Sequence, residues 1–101
     1  MKEFIGRVVL IRSYSSGVHF GTLERVDDLL SGAAVKLQNA RRIHYWEGAA
    51  SLSQIAKEGV NQERSRVAME LPEFYCTQVI ECIPMSEFAL DNLKSAPVWK
   101  I

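Results

Sequence analysis

The sequence predicts an α+β fold: a β-rich curved antiparallel sheet or small, partly open barrel of SH3-like or Sm-like flavour, carrying two short helices. Three observations lead there. The chain is 101 residues, one domain on the usual scale of roughly 100 to 150 residues. Runs rich in β-branched residues succeed one another across short turn-forming stretches, the pattern of an antiparallel sheet. Gly21 interrupts one of these runs, as it would at a bulge or sharp bend in a small barrel.

The first run, "FIGRVVLIR" at 4–12, is a predicted strand ended by the turn-prone "SYSSG". "VHFGTLERV" at 18–26 pairs back on it as a hairpin. "DDLLSG" turns the chain, with Asp27 and Asp28 read as turn formers. In "AAVKLQ", Val35 and Leu37 share one face and Lys36 and Gln38 the other, which predicts a half-buried strand. After "NA", "RRIHYW" continues as another strand. "SLSQIAKEG" changes period: Leu52, Ile55 and Ala56 fall on one helical face. Ser51 and Gln54 fit a capping box there, and Gly59 stops the helix. "RVAMEL" and "TQVIECI" read as two more strands. "MSEFALDNLKSAPVW" reads as a helix with Ser86 as its N-cap and Pro97 beyond its end. No linker, repeat or low-complexity segment divides residues 1–101, so a single domain is expected.

Charge narrows the partners. Twelve basic and twelve acidic residues cancel, so there is no global positive field for non-specific duplex binding, and any phosphate contact must be local. Cys76 and Cys82 make neither a disulfide framework nor a zinc pattern. "MKEFIGRVVLIR" lacks the small-residue cleavage site of a signal peptide, and nothing approaches the roughly 20 apolar residues of a membrane span. A cytoplasmic protein with no membrane partner is expected.

Catalytic motifs are missing: no nucleophile elbow, phosphate loop, His-Glu-x-x-His or Cys-x-x-Cys occurs. We therefore expect no enzyme, and no metal or cofactor. Binding chemistry is another matter. In "NARRIHYWEGAAS" a strand would place Arg42, His44 and Trp46 on one face and Arg41, Ile43 and Tyr45 on the other. A guanidinium, an imidazole and an indole together can stack on a planar base and hold an anion. Gly48 and Ser51 bring the chain to a helix start, where free amides favour negative charge. The plainer reading is a solvated edge with the tryptophan anchoring the helix. The first hairpin loop adds Arg12, Ser13, Tyr14, Ser15 and Gly17, with His19 just beyond it. Hydroxyls and backbone amides at close approach suit an anion; the serines alone suit an ordinary turn equally well.

"RSYSSGVHFGTLE", "NARRIHYWEGAASLSQIAKEGV" and the terminal "PVW" resemble a family of small proteins of unassigned function encoded in bacteriophages and prophages. The likeness covers most of residues 8–60, with Ser16 where that family has alanine. It implies a phage accessory protein in the host cytoplasm and no known reaction. A second likeness, of "GTLERVDD" and "AAVKLQNARRI" to Sm-like barrels, implies a small barrel. Its helix comes last, whereas in Sm proteins it comes first.

Three functions follow as expectations. The first is a protein that binds and sequesters a small anionic, nucleotide-like ligand without converting it, as a counter-defence protein would. The second is an inhibitor of a host or defence protein, anchored by Tyr45 and Trp46. The third is a ring-forming RNA binder, which the neutral charge disfavours. A homo-oligomer is also expected, because many large rings must share a small core and Trp99 could reach a neighbouring subunit.

Overall fold

The computed structural model describes all residues, 1–101. In chain order it has β1 (Val8–Ser13), β2 (Gly17–Leu29), β3 (Gly32–Tyr45), α1 (Leu52–Glu58), β4 (Arg66–Val67), β5 (Leu71–Pro84) and α2 (Glu87–Lys94). All the strand pairings are antiparallel. β2 pairs with β1, β1 with β5, β5 with β3, and β3 with β2, so four strands close into a hydrogen-bonded ring; β4 adds to β3. The result is a strongly curved five-stranded sheet with two helices, ring-bonded without being a regular barrel.

Two apolar clusters explain why "VVLI" is continuous rather than alternating. Val9 and Ile11 point into the ring with Leu23, Val35, Leu37 and Cys76. Leu10 points outward, where Val18, Phe20 and Ile43 meet α1 and α2 through Ile55, Ala56 and Leu93. A strand covered on both faces must be apolar throughout. A buried Leu or Ile side chain stabilises by roughly 1.5 to 3 kcal/mol, so both layers matter.

The bend predicted at Gly21 is present. The β2–β3 register slips between Phe20 and Thr22. Gly21 faces two residues, Asn39 and Ala40, and Asn39 takes a left-handed φ of 53°. A Cβ on Gly21 would lie 2.9 Å from the Gln38 carbonyl oxygen, closer than backbone can yield.

Several boundaries differ from expectation. The first strand starts at Val8, because residues Lys2–Phe4 coil into a 3-10 turn. Asp27 and Asp28 do not turn the chain: β2 runs on to Leu29, with Asp27 held by Arg25 at 3.1 Å and by the Tyr75 hydroxyl at 2.7 Å. "AAVKLQ" and "RRIHYW" are one strand, since "NA" is a bulge that bends it without ending it. "RVAMEL" is strand only at Arg66–Val67, while Leu71 and Pro72 open β5. Pro72 lies between the Leu71 and Glu73 pairings, opposite the bulge, where no ladder donor is needed. Both helix caps form: Ser51 accepts from the Gln54 amide and Ser86 from the Ala89 amide. No helix is long and apolar enough to cross a membrane.

Candidate binding concavity

Beyond Ala40, β3 leaves β5 and takes up β4 instead. The strands splay there, and the inner face of the ring opens into a concavity of about 230 Å³. His19, Arg42 and His44 line it from β2 and β3, and Met69, Leu71 and Phe74 from the opposite side. Mouths of this kind are common ligand sites in barrel-like folds.

Arg42 and His19 are cross-strand partners. Arg42 is half-buried, and its guanidinium has neither a carboxylate within 4.0 Å nor a hydrogen bond to any group of the chain. The other arginines are differently employed: Arg12, Arg25 and Arg64 meet carboxylates, and Arg7 and Arg66 lie over aromatic rings on the surface.

His19 is only 2% exposed. Its Nε2 lies 2.9 Å from the Ser16 carbonyl oxygen and 3.2 Å from Ser16 Oγ. Its ring packs on Phe74 with centroids 4.6 Å apart. Burial, with the charge of Arg42 second, lowers its pKa to about 4, so the imidazole is neutral at physiological pH. Ser16 Oγ also lies 3.3 Å from Cys76 Sγ. This serine–histidine–cysteine group ties the hairpin loop to β5. Nε2 is committed to a carbonyl and is no base for Ser16.

Arg41 belongs elsewhere. It is 3% exposed and faces the helices. Its Nε donates to Ala68 O at 2.7 Å, Nη2 to Val67 O at 3.2 Å, and Nη1 to the carbonyls of Leu93, Lys94 and Ala96 at 2.9, 3.1 and 3.0 Å. Three of these are at the end of α2, where the helix dipole favours a cation. Burial lowers its pKa from the ordinary arginine value. Arg41 joins β3, β4 and α2, and its donors are spent within the fold. Adjacent arginines in the sequence thus serve opposite faces, as strand alternation requires.

The remaining predicted site residues do not meet at the concavity. Trp46 leaves the face of Arg42 and His44, because the β3–β4 register slips between Ile43 and Tyr45; its indole packs on the outer core with Ala49 and Leu52. Tyr45 lies beside Arg66, whose guanidinium sits 5.6 Å above its ring, and its hydroxyl donates to Glu47 at 2.8 Å, which raises its pKa. Gly48 has φ 91°, and a Cβ there would lie 2.8 Å from the Asn61 amide nitrogen, so it is a backbone requirement. Ser51 is occupied in capping. Arg12 sits opposite Val18 on the helix-side face and meets Glu81 at 3.7 Å. Ser13 donates to Thr77 O at 2.9 Å and Ser15 to Gln78 Oε1 at 3.0 Å, while Gly17 turns the hairpin at φ 86° and Tyr14 is 79% exposed.

Sequence reasoning missed Met69, Leu71 and Phe74: "RVAMEL" read as a strand put Met69 and Leu71 on one face but gave them no part in a site, and Phe74 fell between the two predicted strands. It also missed the partner of His44: the Trp99 ring, 5.1 Å away, which in turn lies 5.5 Å from Arg66. The C-terminal tail folds onto its own chain, with Trp99 N donating to Val67 O at 2.9 Å and Val98 bridging Val67 in parallel. In this chain Trp99 is therefore not a free arm.

A family model described as a domain of unknown function, DUF6948, matches residues 6–93. Neither the curated proteins nor the solved structures contain a match to the chain.

Proposed function

From the premise that this chain belongs to the DUF6948 family, which has no assigned function, we propose that the protein binds a small, planar, anionic ligand of mononucleotide type in the concavity and does not convert it. The observation that carries this reading is Arg42: a half-buried cation with its donors unspent, in an apolar-walled mouth. Holding an unpaired guanidinium partly out of water costs free energy unless an acceptor arrives. Oxygens of a ligand supply that acceptor. The ring of the ligand lies against Met69, Leu71 and Phe74, and its anionic group extends toward His44.

The size supports a small ligand. About 230 Å³ is below the roughly 300 to 1,000 Å³ of drug-sized pockets, enough for one ring system and not for a dinucleotide. The likeness to bacteriophage and prophage proteins supports a phage accessory role in the host cytoplasm, withdrawing a nucleotide signal from host defence by holding it. Calorimetric titration with the 5′-mononucleotides tests the reading. The wild type binds at least one of them, and Arg42→Ala weakens binding by about 1.5 to 3 kcal/mol, the scale of a charge-assisted hydrogen bond. Equal affinity in the variant overturns it.

One observation favours a second reading, an inhibitor of a host or defence protein. Tyr45, Arg66 and Trp99 stack in the open, with Tyr45 45% and Trp99 48% exposed. Tyrosine, tryptophan and arginine dominate interface hot spots. Failure of every mononucleotide to bind would move the weight to this surface.

A further inference from the structure

We propose that His19 selects the ligand, and that the ligand is a one-ring pyrimidine with an imide edge: a ring N–H flanked by carbonyl oxygens, as in a uridine or thymidine monophosphate. The proposal deepens the mononucleotide reading and rests on it.

The chemistry follows from which hydrogen-bonding capacity the chain leaves unused. A carbonyl oxygen only accepts, so the 2.9 Å contact between His19 Nε2 and Ser16 O places the ring hydrogen on Nε2. Nδ1 then keeps its lone pair. No donor of the chain reaches it, and since no buried side-chain nitrogen or oxygen of the chain lacks a partner, Nδ1 carries some of the small surface His19 keeps, in a residue that lines the concavity. The contact with Phe74 on one side and the Ser16 bonds on the other hold the ring in place. An open lone pair on a fixed ring, in an apolar-walled mouth, is met best by a ligand that brings a hydrogen to it.

Directly across the ladder stands Arg42, which can only donate. The wall therefore presents an obligatory acceptor beside a fork of donors. An imide edge is the complement: its N–H meets Nδ1 and a flanking carbonyl meets the guanidinium. A cytosine presents a bare ring nitrogen where the imide has its N–H, and would set acceptor against acceptor. Sites that hydrogen-bond a ligand group discriminate strongly against analogues lacking it, because a buried partner is left unpaired.

The test compares uridine 5′-monophosphate, N3-methyluridine 5′-monophosphate and cytidine 5′-monophosphate by calorimetry on the full chain. The expected result is binding of the first, with each of the others about tenfold or more weaker. In His19→Phe, which keeps a flat ring against Phe74 and removes the acceptor, uridine 5′-monophosphate falls to the affinity of its methylated analogue. The methylated probe on the wild-type protein decides the matter even if that variant does not fold. Equal binding of all three probes to the wild type overturns the role of His19 while leaving the binding reading intact, as does discrimination that survives in His19→Phe. Binding of purine mononucleotides alone overturns the one-ring class. Binding of no mononucleotide overturns both proposals together.

Discussion

Arg41 and Arg42 show how neighbouring residues of one type acquire unrelated roles. Arg41→Met should cost about 3 kcal/mol or more of stability, because it leaves several buried carbonyls without a donor; urea unfolding measures this. Arg41→Lys should also be destabilising, since one ammonium cannot span carbonyls on β4 and at the end of α2. Arg42→Ala should change stability by less than about 0.5 kcal/mol, since no group of the chain depends on it, and should act on binding alone. His19 gives a pH signature. Its folded pKa of about 4 lies below the ordinary 6.5, so between those values the unfolded chain binds more protons than the folded one. Stability should then fall as pH is lowered from about 6.5 toward 4. The His19 share of that slope vanishes in His19→Phe, and a slope unchanged by the substitution would contradict the assignment. Alternation in "RRIH" made the separation of Arg41 from Arg42 and His44 legible in the sequence. Which of the two faces would be buried was not, because that depends on where α2 ends, some 50 residues further along the chain.

At the scale of elements, the strands were legible wherever side chains or turn formers set the pattern, and illegible where backbone geometry did. Gly21 announced the bend. Asn39 did not, because asparagine takes the left-handed region more readily than most residues yet serves equally in turns and loops, and a bulge carries no periodic signal. "NA" therefore read as a strand end. "RVAMEL" alternates well enough for a strand, yet Arg41 takes the Ala68 carbonyl and the chain leaves the ladder at that point. The short helices were legible because their caps are chemical. Ser51→Ala should cost around 1 kcal/mol, by the same amount with or without ligand, as thermal unfolding in both states would show. A smaller ligand-induced shift in this variant would instead mean that Ser51 touches the ligand. Gly21→Val should be more damaging than Ser51→Ala, since its Cβ meets the Gln38 carbonyl and the bend that brings Arg42 beside His19 depends on that contact distance. Far-ultraviolet circular dichroism and the unfolding midpoint would report the loss.

For the whole molecule, the ring of β1, β2, β3 and β5 leaves few unpaired strand edges, and the tail beyond Pro97 covers part of β4. Exposed apolar surface remains at Leu29, Leu30, Ile80 and Phe88, so a homo-oligomer stays our expectation, to be read by light scattering coupled to gel filtration; a monomeric mass at micromolar concentration would contradict it. Because Trp99 is bound to its own chain, deleting residues 97–101 should lower stability and loosen His44, rather than simply separate subunits. The overall curvature was foreseeable from strand succession and Gly21, but the concavity was not, since it arises where β3 exchanges one partner for another. The hairpin loop and the Arg42 face read as one site in the sequence; in the fold Arg12 and Arg42 lie on opposite faces of the sheet. Because of that division, the two arginines respond differently to a ligand held in the concavity. Nuclear magnetic resonance of the arginine Nε–Hε groups, recorded while each of the four 5′-mononucleotides is added, would observe both arginines at once. At least one mononucleotide should shift the Arg42 signal and leave Arg12 unmoved. A shift at Arg12 without one at Arg42, or no shift at Arg42 with any mononucleotide, would contradict it.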